Sequence, residues 1–179
     1  KYQLNLSQSQ VFRLLTGMDV NFQTLLDVAE QLNAERLIVD DLLDDATYNL
    51  IQMLIAGRAG IVAIRSQSPR DALDKLRLQM QLGSPTAVLD ELIGSSIDMI
   101  VHLSRFRDGQ HRVLTITEVQ GVENGMIQLS DIFEFAPDEK HPPSSNSKLR
   151  PTGLRPQNLP KLEAAGLILP VKNTSISRN

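Results

Sequence analysis

The sequence predicts an α/β fold: a parallel sheet with flanking helices, then an antiparallel meander, then a short terminal helix. Three observations carry this. Wholly apolar runs at Leu37–Val39 and Ile61–Ile64 alternate with segments of helical periodicity, the order that builds a parallel sheet covered by helices. Beyond Met99 the pattern changes to strand-like runs separated by hairpin turn signals. Near the C-terminus, Leu159 to Ala165 read as a helix stopped by Gly166.

In chain order, residues 1–20 are polar and remain unassigned, although Leu4, Leu6, Val11, Leu14 and Leu15 suit one or two short strands. Leu25, Leu26, Val28, Ala29 and Leu32 follow helical spacing, with Asn21 as the cap and Asn33 as the end. Leu37-Ile38-Val39 reads as a buried parallel strand, followed by Asp40, Asp41, Asp44 and Asp45. A second helix fits Ala46 to Ala56 with Gly57 as its stop, and Ile61-Val62-Ala63-Ile64 is the next buried strand. Ser68-Pro69-Arg70-Asp71 is a helix start: Ser68 caps, Pro69 suits the first turn, and Asp71 holds the capping-box position. Leu73, Leu76 and Met80 form the apolar stripe of that helix, Gly83-Ser84-Pro85 breaks the chain, and a further helix is expected over residues 86–95.

The meander follows. Met99 to Leu103 and Val113 to Thr117 are strands around the turn Arg107-Asp108-Gly109, and Glu123-Asn124-Gly125 turns the chain into Met126 to Leu129. Residues 21–135 are therefore read as one domain. Residues 136–152, rich in Pro, Ser, Lys and Asp, read as a flexible loop, and 153–179 as the terminal helix and tail.

Bulk properties narrow the function classes. The chain of 179 residues suits one medium domain, and its 41% hydrophobic content can fill a core. Aromatics make up only 4%, so that core must come from Leu, Ile, Val and Ala. A net charge of −3 offers no electrostatic footprint for nucleic acid, which is not expected as a partner. The absence of cysteine excludes disulfides and thiolate metal sites and fits a cytoplasmic setting. The richest apolar stretch, Leu50 to Ile64, is interrupted by Gln52 and Arg58 and is too broken to span a bilayer. No signal-peptide pattern is present. The chain begins with Lys1, so a motif lying upstream stays open.

Two stretches carry a family resemblance. One runs from Ser95-Ser96-Ile97-Asp98 through Met99 to Gly109, then Arg112-Val113 and Ile116-Thr117-Glu118-Val119; the other is Leu149-Arg150-Pro151-Thr152-Gly153-Leu154-Arg155-Pro156 with Leu162, Ala165-Gly166 and Leu169-Pro170. Between them lies Ile132-Phe133-Glu134-Phe135, and upstream lies Ser68-Pro69-Arg70-Asp71-Ala72-Leu73. In this order they resemble the C-terminal portion of the type II/type IV secretion ATPase superfamily, specifically its tight-adherence (Tad) pilus branch. The resemblance implies a RecA-like, P-loop NTPase-type domain, here with only part of its parallel sheet, in a ring whose ATP hydrolysis drives pilin assembly or export. Its implied partners are further copies or homologous ATPase subunits, together with inner-membrane pilus or secretion platform proteins. The implied location is cytoplasmic, peripheral to the inner membrane.

The chemistry such an enzyme needs is altered in this chain. A phosphate cradle of the form G-x-x-x-x-G-K-[ST] supplies backbone amides and a lysine, and no Gly here is followed by Lys. ATP and magnesium are therefore expected only if a cradle exists upstream. Leu37-Ile38-Val39-Asp40-Asp41 resembles a Walker B strand, with Asp41 where the family has Glu and Leu43 where it has Arg. The alternative is a buried strand whose polar exit caps the next helix. Gly60 to Pro69 aligns with the family's histidine box, but Arg65 replaces the His and Gln67 the Asn. Arg65 either contacts phosphate or is a strand-end charge facing solvent.

Arg105, Arg107, Arg112, Asp108 and Glu118 are read as one cluster around a hairpin, either a solvated cross-strand set or, with the three arginines, a subunit interface. His102, His111 and His141 match no metal spacing, and no metal site is expected. The altered Walker B strand and histidine box together favour a catalytically degenerate C-terminal domain of a secretion or pilus-assembly ATPase. The alternative is the C-terminal piece of an active motor whose Walker A motif lies upstream.

Overall fold

A computed structural model describes residues 10–17, 19–42, 46–81, 88–106, 108–136, 148–164 and 166. Its elements run α1 (Phe22–Gln31), β1 (Arg36–Val39), α2 (Thr47–Ile55), β2 (Ala59–Val62), α3 (Pro69–Gln81), α4 (Leu89–Ser96), β3 (Met99–Arg105), β4 (His111–Glu123), β5 (Met126–Ala136), β6 (Lys148–Pro151) and α5 (Leu159–Ala164). The fold is mixed α/β. β1 and β2 form a two-stranded parallel sheet, and β3 to β6 form a four-stranded antiparallel meander in sequence order.

Local chemistry sets the element ends. The Asn21 side chain accepts from the Thr24 amide at 2.9 Å and caps α1. α2 ends at Ile55 with Ala56 as its C-cap, and Gly57 follows with a φ of 99°, in the left-handed region that glycine adopts without a Cβ penalty. Asn124 and Gly125, at φ 52° and 73°, make the tight turn between β4 and β5, as that residue pair favours.

One apolar core joins the two sheets. Leu26 of α1, Leu50 and Ile51 of α2, Leu73 and Met80 of α3, Ile93 of α4, Val119 of β4 and Ile127 of β5 are buried in a single cluster. Helix α4 is the joint, packing against α2, α3, β4 and β5. Gly94 allows its close approach, since a Cβ there would lie 3.0 Å from Val122 Cγ2. Arg77 of α3 locks the α3–α4 pair by donating to Asp90 at 2.7 and 2.8 Å.

Several expectations need correction. The second strand is Ala59–Val62 rather than Ile61–Ile64, and it is not buried: Ile61 is 65% exposed. A sheet of two strands with helices on one face buries alternate residues, so Leu37 faces the core while Ile38 and its partner Ile61 face away. Residues 148–151, read as part of a loop, form β6, which pairs with β5 from Phe133↔Pro151 to Ala136↔Lys148. Its proline sits on an edge strand, where no donor is needed. Val11, Leu14 and Leu15 form no strand and are exposed. Leu4, Leu6, the break at 83–85 and the expected helix start at 86–87 lie outside the described residues, and α4 is described from Leu89.

Candidate functional site

Parallel strands end at the same edge of their sheet, so the loops after β1 and β2 lie side by side. Backbone bonds continue beyond the strand ends. The Ala63 amide donates to the Val39 carbonyl at 2.8 Å, and the Leu42 amide donates to the Ala63 carbonyl at 2.9 Å. This brings together the two residues singled out by the sequence, since Arg65 Nη2 donates to Asp41 Oδ2 at 3.1 Å. The Arg65 side chain is 86% exposed and that of Asp41 is 31% exposed.

The loop carrying Arg65 is held from beneath by the first turns of α3. Lys75 Nζ donates to the Arg65 carbonyl at 2.8 Å and pairs with Asp71 at 3.1 Å. Asp71 accepts from the Gln67 amide at 2.7 Å, while its own amide donates to Ser68 Oγ at 3.1 Å. This is a reciprocal cap, as the Ser68-to-Asp71 spacing predicts, with the acid reaching one residue further back than in the simplest box. The Gln67 amide, then the bond from Lys75, hold the Asp71 carboxyl below its ordinary value.

In this arrangement the polar groups at the two strand ends already have partners within the chain. Asp41 Oδ2 accepts from the Arg65 guanidinium, and the Gln67 amide just before α3 and the Asp71 amide in its first turn are taken by Asp71 and Ser68. The backbone bonds hold the two strand ends in register, and the Asp41–Arg65 pair is a solvated contact across them.

The hairpin residues divide differently from the sequence reading. At the tip, Arg112 donates to both oxygens of Asp108, at 3.1 and 2.6 Å, and to Gln110 at 3.1 Å. Its guanidinium lies 4.9 Å from the centre of the Phe106 ring, which in turn meets Phe135. The bonds from Arg112, then the Gln110 amide, hold the Asp108 carboxyl below its ordinary value. Arg105 is exposed and donates to the Gly109 carbonyl at 3.3 Å. Arg107 lies outside the described residues.

Glu118 does not belong to this tip. It sits seven positions along β4 from His111, is fully buried, and accepts from the amides of Gln157 at 2.9 Å and Asn158 at 2.8 Å. The sequence signal for this was a charged residue between Thr117 and Val119 in an otherwise core-like strand. Its partners stand about 40 positions away, where periodicity cannot reach. Among the described residues no group of His, Asp and Glu is placed to hold a metal ion, and no helix is long and apolar enough to cross a membrane.

No protein-family model matches the chain. It is 27% identical over 126 residues to the conjugal transfer protein TrbB of Rhizobium radiobacter, a match covering 70% of this chain and 38% of that protein. It is 30% identical over 130 residues to the probable conjugal transfer protein TrbB of Sinorhizobium fredii, covering 72% of this chain and 39% of the relative. The chain thus has homologues among proteins named for conjugal transfer, and it spans about two-fifths of the length of these curated relatives.

Proposed function

We propose that this chain is the C-terminal domain of a secretion or pilus-assembly ATPase relative that no longer performs phosphoryl transfer by itself. The observation that carries this reading is the Asp41–Arg65 pair, in which the Walker B-like carboxylate is bonded to an arginine standing at the position of the histidine box. Phosphoryl transfer depends almost wholly on positioned charge around the phosphates. A guanidinium on the Walker B-like carboxylate, with no Gly-Lys cradle in the sequence, leaves two of its parts unsupplied by this chain. Similarity to conjugal transfer proteins supports a place in a type IV secretion system. The finer assignment to the Tad branch and to a RecA-like sheet rests on the motifs at Ser95–Val119 and Leu149–Pro156. In this role the domain acts as a structural or regulatory subunit. It associates with copies of itself or with active homologues, against a membrane platform.

The test is steady-state ATP turnover by the purified chain with magnesium. The reading predicts none above buffer, and turnover abolished by Asp41→Ala would overturn it. A second reading is favoured by the length of the relatives, which extend well beyond the matched region. In it the same domain belongs to a working motor whose phosphate loop is supplied from residues preceding Lys1. That reading predicts turnover in such a longer protein, lost on Asp41→Ala.

A further inference from the structure

We propose that residues 152–164 form a hinged arm latched onto the meander by the buried carboxylate of Glu118, and that the arm opens as a unit while the sheet stays folded. The arm departs from β6 at Thr152, whose hydroxyl donates to the Asp131 carbonyl at 2.7 Å and whose amide donates to the Ile132 carbonyl at 3.0 Å. Gly153 follows at φ 90°, a conformation that glycine holds without strain, and a Cβ there would meet nothing within 4 Å. This is a hinge with free space around it.

Beyond the hinge, Pro156, Asn158 and Leu159 are half-buried, and most of the other described side chains are open to solvent. Gly153, Leu154, Arg155, Gln157, Pro160, Lys161, Glu163 and Ala164 are exposed. Among the described residues, two polar attachments fasten the arm to the sheet and to the residue before β3. Glu118 accepts the Gln157 and Asn158 amides, one on each carboxylate oxygen, and the Gln120 side chain adds a third bond at 3.3 Å. Lys161 donates to Asp98 at 2.5 Å, but both of those side chains are mostly exposed, so that pair is worth little. The Glu118 side chain is fully buried, so its bonds to the two amides are shielded from water and form the stronger anchor. A segment that is largely solvent-exposed and whose stronger anchor is one group opens locally at a lower cost than the core.

Opening uncovers a carboxylate now wholly enclosed. Glu118 pairs across the ladder with Met99, on the face where Met99, Val101 and Leu103 of edge strand β3 are already exposed. The released state therefore presents an apolar strip ending in a charge, whereas the latched state hides the charge.

Amide hydrogen exchange by mass spectrometry on the full chain tests this, comparing a peptide covering 153–164 with peptides from β4 and β5. Three variants are used. Gln157→Pro deletes the N–H that Glu118 Oε2 accepts and leaves every sheet side chain in place. Gln157→Ala keeps that N–H. Glu118→Ala removes the acceptor itself. The expected result is exchange about tenfold or more faster in the arm for Gln157→Pro and Glu118→Ala, unchanged protection in β4 and β5, and wild-type behaviour for Gln157→Ala. If Glu118→Ala fails to fold, the two Gln157 variants decide. Equal acceleration in Gln157→Ala, no acceleration in Gln157→Pro, or loss of β4 and β5 protection together with the arm in Gln157→Pro would each overturn the latch.

Discussion

Arg65 Nη2 donates to Asp41 Oδ2 at 3.1 Å, tying together the ends of two parallel strands from positions 24 residues apart. In the reading proposed above, both residues stand at positions that carry reactive groups in a nucleotide-hydrolysing enzyme, and here they bond each other. The pair stands in solvent, with the arginine 86% exposed, so its coupling is screened. A double-mutant cycle on Arg65→Ala and Asp41→Ala, read by urea unfolding, is expected to give a coupling of no more than about 1 kcal/mol. A larger value would mean that the pair is a structural strut rather than a solvated strand-end contact.

The capped start of α3 should respond to both substitution and acid. Ser68→Ala removes the acceptor of the Asp71 amide and is expected to cost about 1 kcal/mol in equilibrium unfolding. The folded-state value of Asp71 lies below its ordinary 3.8, so its contribution to stability is present above the unfolded value and is lost as pH falls through the folded one. Asp108 behaves the same way, its carboxyl held down by Arg112. Carboxyl chemical shifts followed by NMR should show both groups titrating below 3.8 in the folded chain, and Asp71 should return toward that value in Lys75→Met.

Burial predicts a sharp contrast between two apolar residues that look alike in sequence. Leu50 is fully buried at the centre of the core, and Leu50→Ala is expected to cost about 2–5 kcal/mol. Ile61, on the outer face of β2, is 65% exposed, and Ile61→Ala should stay within about 0.5 kcal/mol. Thermal unfolding of the two variants checks this. Comparable losses would show that the outer face of the two-stranded sheet is covered.

This contrast marks where sequence reasoning worked. Helices α1, α2, α3 and α5 were legible because caps and stops are local: Asn21, Gly57, Ser68 with Asp71, and Gly166 act within a few positions of the residues they serve. The turn at Asn124-Gly125 was legible for the same reason. The side of Ile61 was not legible, because an apolar run shows that a strand can be buried but not how many layers cover it. β6 was hidden in a polar stretch because Lys148 to Pro151 gain strand conformation by pairing with Phe133 to Ala136, a distant partner with no trace in local composition. At the site, Asp41 and Arg65 were each recognisable, but their mutual bond required the parallel register Val39↔Val62. Glu118 shares the hairpin's stretch of sequence and its family motif, but its partners are the amides of the terminal arm.

The two described arginines of the hairpin should separate in their effects. Arg112 bonds Asp108 and covers Phe106, so Arg112→Ala should lower the melting temperature by loosening the tip. Arg105 is exposed with one bond to a backbone carbonyl, so Arg105→Ala should leave melting nearly unchanged. If the tip forms part of a ring contact, Arg105→Ala weakens self-association, or association with an active homologue, in sedimentation at matched concentration. A wild type that stays monomeric alone and in such mixtures would reduce the hairpin to scaffold.

The central claim is that the strand-end site satisfies itself and does not take a nucleotide. Isothermal titration calorimetry of magnesium–ATP into the purified chain, with Asp41→Ala alongside, tests it most directly. The account predicts no saturable heat for either protein at ligand concentrations up to about 1 mM, the level of a weak complex. Saturable binding by the wild type that disappears in Asp41→Ala would contradict it, because Asp41 would then be serving a nucleotide rather than Arg65.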